Sequence, residues 1–272
     1  MWPSDISLGP FVIGGYALAL ILAIMASLAF ICWTAPRARV SPKKALDLGF
    51  WLVLAGILGA RAAYALTHPQ LFKSQPLAIL KYWEGGLTFQ GGLFLGLLLV
   101  IALAALKRFP LLPMADALAP PLALGQAIGR LGCLMAGCCY GRLAPGFPLA
   151  LTFPRGSLAP SGFPLYPTQA MEAIGLFLVT LFLARFLARP VGPPSGRPWR
   201  PAGLVLSLYL ALTGLLRLVS EHFRGDNRGP KLLSLAPTAW AALAIFMAGL
   251  ALLLFLALRQ KNAPNNISWQ PK

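Results

Sequence analysis

The 272-residue chain is 58% hydrophobic and only 11% charged, whereas a soluble domain is about a quarter charged. That composition excludes a water-soluble globular protein and leaves no room for a large extramembrane domain. The formal net charge of +16 reads as loop charge beside anionic headgroups and not as a nucleic-acid footprint, because the basic residues are scattered among apolar runs.

In chain order, the apolar runs predict seven spans, over residues 14–33, 47–66, 91–106, 115–135, 168–188, 202–220 and 238–258, each close to the ~20 residues a bilayer requires. The predicted fold class is an all-α polytopic membrane protein of about seven transmembrane helices. It forms a single domain over residues 1–272, with a small outer loop region at 140–167 between spans four and five. The first run has no basic residue before it and no convincing small-residue cleavage site, so it is expected to be a retained span. The fourth is the most polar, carrying Asp116, Pro120, Pro121, Gln126 and Arg130.

Between the spans the positive charge alternates. Arg37, Arg39, Lys43, Lys44, Lys107, Arg108, Arg185, Arg189, Arg197, Arg200, Arg259, Lys261 and Lys272 fall on one side. Lys73, Lys81, Arg142, Arg155, Arg224, Arg228 and Lys231 fall on the other, and Arg61, Arg130 and Arg217 remain within spans. Since positive loops stay cytoplasmic, the N-terminus is expected outside and the C-terminus inside. The outer segment 140–167 holds Pro145, Pro148, Pro154, Pro160, Pro164 and Pro167, which forbid a long helix and leave one short strand at 149–153. Residues 190–201 read as a cytoplasmic linker.

A charge at mid-bilayer costs roughly 2.5 kcal/mol or more, so each one calls for a partner, water or a role. Arg61, near the outer end of span two with Tyr64, reads as a snorkelling side chain, and Asp47 as a cap. In the segment 85–92, paired glycines flank Phe89 and Gln90 and predict a re-entrant or tightly turned stretch whose backbone approaches a ligand; a plain glycine-rich turn is the alternative. Gly125, Gly129 and Gly132 surround Arg130 at spacings that admit a second helix or a headgroup. The alternative for Arg130 is an ion pair with Asp116 or Glu221. Arg217, Glu221 and Arg224 share one helical face and predict an ion-paired stripe. Tyr166, Pro167, Thr168 and Gln169, with Glu172, read as the capped start of span five. Arg130 and Arg217, on different helices, suit one phosphate, which the planar guanidinium matches, and the nearest phosphate belongs to a phospholipid.

Cys133, Cys138 and Cys139 cluster at the outer end of span four, apart from Cys32. Their spacing is not that of common zinc sites, so no metal is expected. A disulfide of Cys133 with Cys138 or Cys139, small buried thiols, and a reactive thiolate beside Arg130 all remain open.

Together these residues resemble the prolipoprotein diacylglyceryl transferase family of bacterial inner-membrane enzymes. The likeness runs through Gly15-Tyr16-Ala17, Asp47 with Gly59-Ala60-Arg61 and Tyr64, Phe89-Gln90-Gly91-Gly92, and Asp116 with Pro120. It continues through Gly129-Arg130-Leu131-Gly132-Cys133-Leu134-Met135-Ala136-Gly137-Cys138-Cys139-Tyr140-Gly141-Arg142, Tyr166-Pro167-Thr168-Gln169 with Glu172, and Arg217 with Glu221 and Arg224. The resemblance implies seven spans with the N-terminus outside. It also implies transfer of the diacylglyceryl group of phosphatidylglycerol to the lipobox cysteine thiol of a prolipoprotein, releasing glycerol-1-phosphate.

By that resemblance Arg130 and Arg217 stabilise the departing phosphate, Glu221 orients Arg217, and Gln90 stands at a catalytic position. Tyr16, Arg61, Gly91, Gly92, Gly129, Gly132, Cys133, Cys138, Gly141 and Arg224 contact substrate. No cofactor is implied. The partners are phosphatidylglycerol, the signal-peptide segment of a prolipoprotein and membrane lipids, with no nucleic acid. The chain departs from the family where His is common at Gln90, Asn at Cys133 and Ala136, and Glu at Cys138. Glutamine is no base at neutral pH, which points to a divergent transferase. The competing readings are a paralogue with another acceptor or with Cys138 as nucleophile, and a non-catalytic lipid-binding or lipid-translocating protein.

Overall fold

The computed structural model describes residues 5–8, 11–80, 86, 88–106, 110–188, 200–229, 232–233 and 235–261. The linker 190–199, the turn residues Gly85 and Leu87, and the basic residues Lys81, Lys107, Arg108, Arg189, Arg197, Lys231 and Lys272 lie outside that set.

Described elements begin with a hairpin, β1 (Asp5–Leu8) and β2 (Phe11–Gly14), paired antiparallel. Hydropathy did not mark it, because four-residue strands are too short for a periodic signal. The helices are α1 (Gly15–Arg37), α2 (Pro42–Thr67), the short α3 (Pro69–Ser74), α4 (Phe89–Ala105), α5 (Leu111–Ala136), α6 (Thr168–Ala188), α7 (Leu204–Glu221) and α8 (Pro237–Lys261), with a 3₁₀ turn at Pro76–Leu80. Six of these are long and apolar enough to cross a membrane. The 17-residue α4 is shorter, about 26 Å at 1.5 Å per residue, against a hydrocarbon core of ~30 Å. The protein is therefore an all-α polytopic membrane protein, with the hairpin as its one departure among the described residues.

α5 sits at the centre, packed on α1, α6, α7 and α2, while α2 pairs with α4 and α7 with α8. Small residues make this possible, since association in lipid depends on close backbone approach. A Cβ added at Gly132 would fall 2.8 Å from Ala19 Cβ, and one at Gly125 2.6 Å from Ser27 Oγ, so α1 lies directly on these two positions. The central cluster is built from Ala35, Ala45, Ala117, Ala119, Ala123, Leu183, Leu187 and Val205 among others. Pro120 and Pro121 lie inside α5 and are fully buried, where neighbouring helices surround the carbonyls a proline leaves unbonded.

Four expectations change at this level. Asp116 is no partner of Arg130: its carboxylate accepts the backbone N–H groups of Gly203 and Leu206, both at 2.8 Å, and so caps the start of α7. The described part of segment 85–92 is not re-entrant, because Phe89 opens α4 and Gly91 and Gly92 lie in its first turn against α2. There a Cβ at Gly92 would stand 2.7 Å from the Gly56 carbonyl oxygen, and one at Gly91 would overlap that of Gly59. Arg61 does not snorkel; it is buried. It donates to the carbonyls of Ile79 (3.0 Å), Gly86 (3.1 Å) and Ala78, beside the rings of Tyr64 and Phe72, fastening the α2–α4 connection to α2. Finally, 149–153 forms no strand. Isolated bridges at Leu143↔Leu165, Leu151↔Leu165 and Phe153↔Ser161 hold the loop around a small apolar cluster of Phe153, Ala159 and Leu165.

Candidate active site

The site is organised by one buried carboxylate. Glu172, in the second turn of α6, is 2% exposed and forms ion pairs with three guanidiniums carried by different parts of the chain. Arg130 of α5 reaches it through Nε at 2.5 Å, Arg217 of α7 through Nη1 at 2.7 Å, and Arg224, just beyond α7, through Nη1 at 3.1 Å. The Ser220 hydroxyl donates to the same carboxylate at 2.7 Å. A carboxylate in an apolar span is expensive unless paired and hydrogen-bonded, and here both oxygens are multiply engaged.

The pairing differs from the one expected on helical spacing. Arg217 takes Glu172, not Glu221. Glu221 accepts instead from the Thr238 hydroxyl at 2.9 Å, joining α7 to α8, and its other oxygen is buried with no partner among the described residues. Glu172 itself was read only as part of a helix cap. The signal that could have found its role was its standing as the sole acidic residue in the apolar α6 segment.

A second ring of ion pairs lies outside the spans. Asp226 binds Arg224 (2.9 Å) and Arg228 (2.8 Å). Burial works to raise the Asp226 carboxyl, but the hydrogen bond and charge of Arg224, together with Arg228, hold it below the usual carboxylate range. Burial likewise opposes the charge on Arg224, and its hydrogen bonds with Asp226 outweigh that, so it stays protonated beyond its ordinary range. Four guanidiniums thus face two carboxylates, which leaves the cluster with an excess of two positive charges.

That excess is directed by exposure. The side chain of Arg224 is 3% exposed, whereas those of Arg130 and Arg217 are 21% and 22% exposed. Arg130 meets Glu172 through Nε, and its Nη1 and Nη2 groups have no bonded partner among the described residues. At the preceding helical position, a Cβ added at Gly129 would meet nothing within 4 Å, so α5 has open space there as well.

The frame around the arginines is made of backbone. The α5 helix ends on Gly137, whose left-handed φ of 71° returns its N–H to the Leu134 carbonyl. Gly141 pairs with Arg224 across an antiparallel bridge, with Arg142 N–H donating to the Phe223 carbonyl (2.9 Å) and Gly225 N–H to that of Tyr140 (3.1 Å). A Cβ at Gly141 would overlap Tyr166. Thr168 and Gln169, in the first turn of α6, donate to the carbonyls of Cys139 (2.9 Å) and Cys138 (2.8 Å). Tyr16 opens α1 against Gly132 and lies within electrostatic reach of Arg130 and the three cysteines.

Of the residues singled out in the sequence, Arg130, Arg217, Arg224, Gly129, Gly132, Gly141, Tyr16, Cys133 and Cys138 converge on this end of the bundle. Gln90, exposed in the first turn of α4, and Gly91, Gly92 and Arg61 belong to the α2–α4 pair. Asp226, Arg228 and Ser220 join the cluster without having been read as site residues in the sequence: Ser220 and Arg228 reach Glu172 and Cys139 on other segments, and Asp226 matters only through the two arginines beside it in the same loop.

A family model described as prolipoprotein diacylglyceryl transferase matches residues 3–255. The chain belongs to this family. It is 32% identical over 272 residues to the phosphatidylglycerol–prolipoprotein diacylglyceryl transferase of Trichormus variabilis, covering 98% of this chain and 93% of the relative. The enzyme of that name from Bordetella avium is 33% identical over 276 residues, covering 96% and 97%. The second such transferase of Clostridium perfringens is 36% identical over 178 residues, 65% of each chain. Within this family member, a Gly129→Ala and Gly132→Ala pair separates space kept for a ligand from space filled by a helix. Gly132→Ala is expected to lower the thermal midpoint in detergent, because Ala19 already occupies that position. Gly129→Ala is expected to leave the midpoint near that of the parent and to weaken phospholipid binding.

Proposed function

We propose that the protein transfers the diacylglyceryl group of phosphatidylglycerol to the cysteine thiol of a prolipoprotein lipobox, with release of glycerol-1-phosphate. The observation that carries this reading is the pair of half-buried guanidiniums, Arg130 and Arg217, fixed on separate helices by one carboxylate and set in a cluster of net positive charge.

The chemistry follows from that geometry. The acceptor sulfur forms a bond to the glyceryl carbon as the carbon–oxygen bond breaks, and the electron pair leaves on the phosphate oxygen. The leaving group gains a negative charge in that step. Arg130 and Arg217 meet it with donors already in place, and in a low-dielectric site such preorganised donors stabilise the transition state more than the ground state. Glu172 holds both guanidiniums without cancelling them, since Arg224 and Arg228 supply the surplus charge. The open space at Gly129 suits the glycerol phosphate headgroup, while the apolar outer faces of α1 and α4, which include Leu22, Met25, Leu93 and Phe94, suit the acyl chains. Gln90 has no basicity at neutral pH, so the thiol proton leaves by another group.

Family membership supports a bacterial inner-membrane location, and the distribution of loop charges supports an N-terminus outside with the arginine cluster at the periplasmic end. The deciding experiment reconstitutes the purified protein in phosphatidylglycerol vesicles with a lipobox peptide. The expected result is glycerol-1-phosphate and lipidated peptide in equal amounts; a folded protein that yields neither overturns the reading.

A further inference from the structure

Cys133 and Cys138, expected to contact substrate, and Cys139 take no step in the transfer proposed above, yet the three thiols converge. We propose that Cys133, Cys138 and Cys139 form a three-thiolate site for a soft metal ion, Cu(I) in trigonal coordination or Zn(II) completed by a solvent oxygen. The proposal goes beyond the transferase reading and does not depend on it.

The three Sγ atoms all lie within 4.8 Å of one another. Three thiolates around an ion with bonds of about 2.3 Å stand about 3.8–4.0 Å apart, so a small contraction closes the site. All three thiols are free. The backbone that presents them is fixed from outside, because Thr168 and Gln169 bind the carbonyls of Cys139 and Cys138. Cys139 adopts a left-handed φ of 61°, uncommon for a residue other than glycine. That turn returns its sulfur toward Cys133, in the last helical turn of α5.

Donor chemistry selects the ion. The nearby carboxylates Glu172 and Asp226 are held by guanidiniums, and an all-sulfur set favours thiophilic ions over hard ones. Three thiolates leave a net charge of −2 around Cu(I) or −1 around Zn(II). Arg228, whose Nη2 stands 3.2 Å from Cys139 Sγ, offsets it. Binding exchanges thiol protons for the ion, with the protons released to solvent, and no electron is transferred.

The test uses the reduced full-length protein in detergent without oxygen, given either Cu(I) or Zn(II) alone and then desalted. The expected result is one ion per chain for one of the two metals. Maleimide labelling of the three cysteines should then slow by about tenfold or more, while Cys32, exposed on α1, labels at its former rate. Single Ser substitutions at Cys133, Cys138 or Cys139 should each weaken retention by more than the ~10–100-fold that loss of an outer-shell partner costs, since each removes a ligand. Failure to retain either ion, or unchanged labelling of all four cysteines in its presence, overturns the proposal. So does a disulfide-linked protein that takes up neither ion after reduction. Because the labelling readout uses the parent chain, it does not depend on whether the variants fold.

Discussion

Arg130→Ala is expected to reduce glycerol-1-phosphate release by about 10²–10³-fold, the loss seen when one preorganised donor to a developing oxyanion is removed. The magnitude follows from its position. Its Nε is anchored on Glu172, while its side chain keeps 21% of its surface exposed for a ligand. Arg130→Lys is expected to recover little of the loss, since an ammonium on a flexible stem cannot hold Glu172 and a phosphate in one plane. Turnover and phospholipid affinity measured in vesicles check both variants. Near-parental release from Arg130→Ala would remove this residue from the chemistry.

Loss of the Glu172 charge is expected to act on the whole cluster. In Glu172→Ala, the guanidiniums of Arg130, Arg217 and Arg224 lose their shared partner and repel one another. Breaking a buried pair from one side costs about 3–5 kcal/mol, so a fall of several degrees in the thermal midpoint is expected. Glu172→Gln keeps the shape and two acceptor lone pairs but not the charge. It should recover part of the midpoint while remaining strongly impaired in turnover, because Arg130 and Arg217 would no longer be held together. Parental stability and turnover in both variants would show that Glu172 does not organise the site.

Much of the fold was legible in the sequence, because a transmembrane helix is a long apolar run and needs no partner to be recognised. The bounds predicted for α6 coincide with those observed, Thr168–Ala188, and the polar α5 proved to be the central helix. The N-terminal hairpin was not legible, since two four-residue strands are stabilised by each other and carry no length signal. Arg130 and Arg217 were marked by their charge within apolar runs, and the structure brings both to one carboxylate.

Partner choice was the part that spacing could not supply. Within one helix, residues three and four apart share a face, which pairs Arg217 with Glu221. Which face meets another helix depends on packing. The small residues of α5, α6 and α7 let those helices approach until Glu172 lies between Arg130 and Arg217, and Glu221 turns toward Thr238 on α8. In the same way Asp116 caps α7, Arg61 holds the α2–α4 connection, and Gly91 and Gly92 admit α2. The amino-acid sequence by itself determined the apolar, positively charged chain, its spans and the two arginines set apart within them. Only the tertiary structure decided which carboxylate holds those arginines and that three thiols meet beside them, because each contact joins residues distant in the chain through helices whose rotation is set by packing.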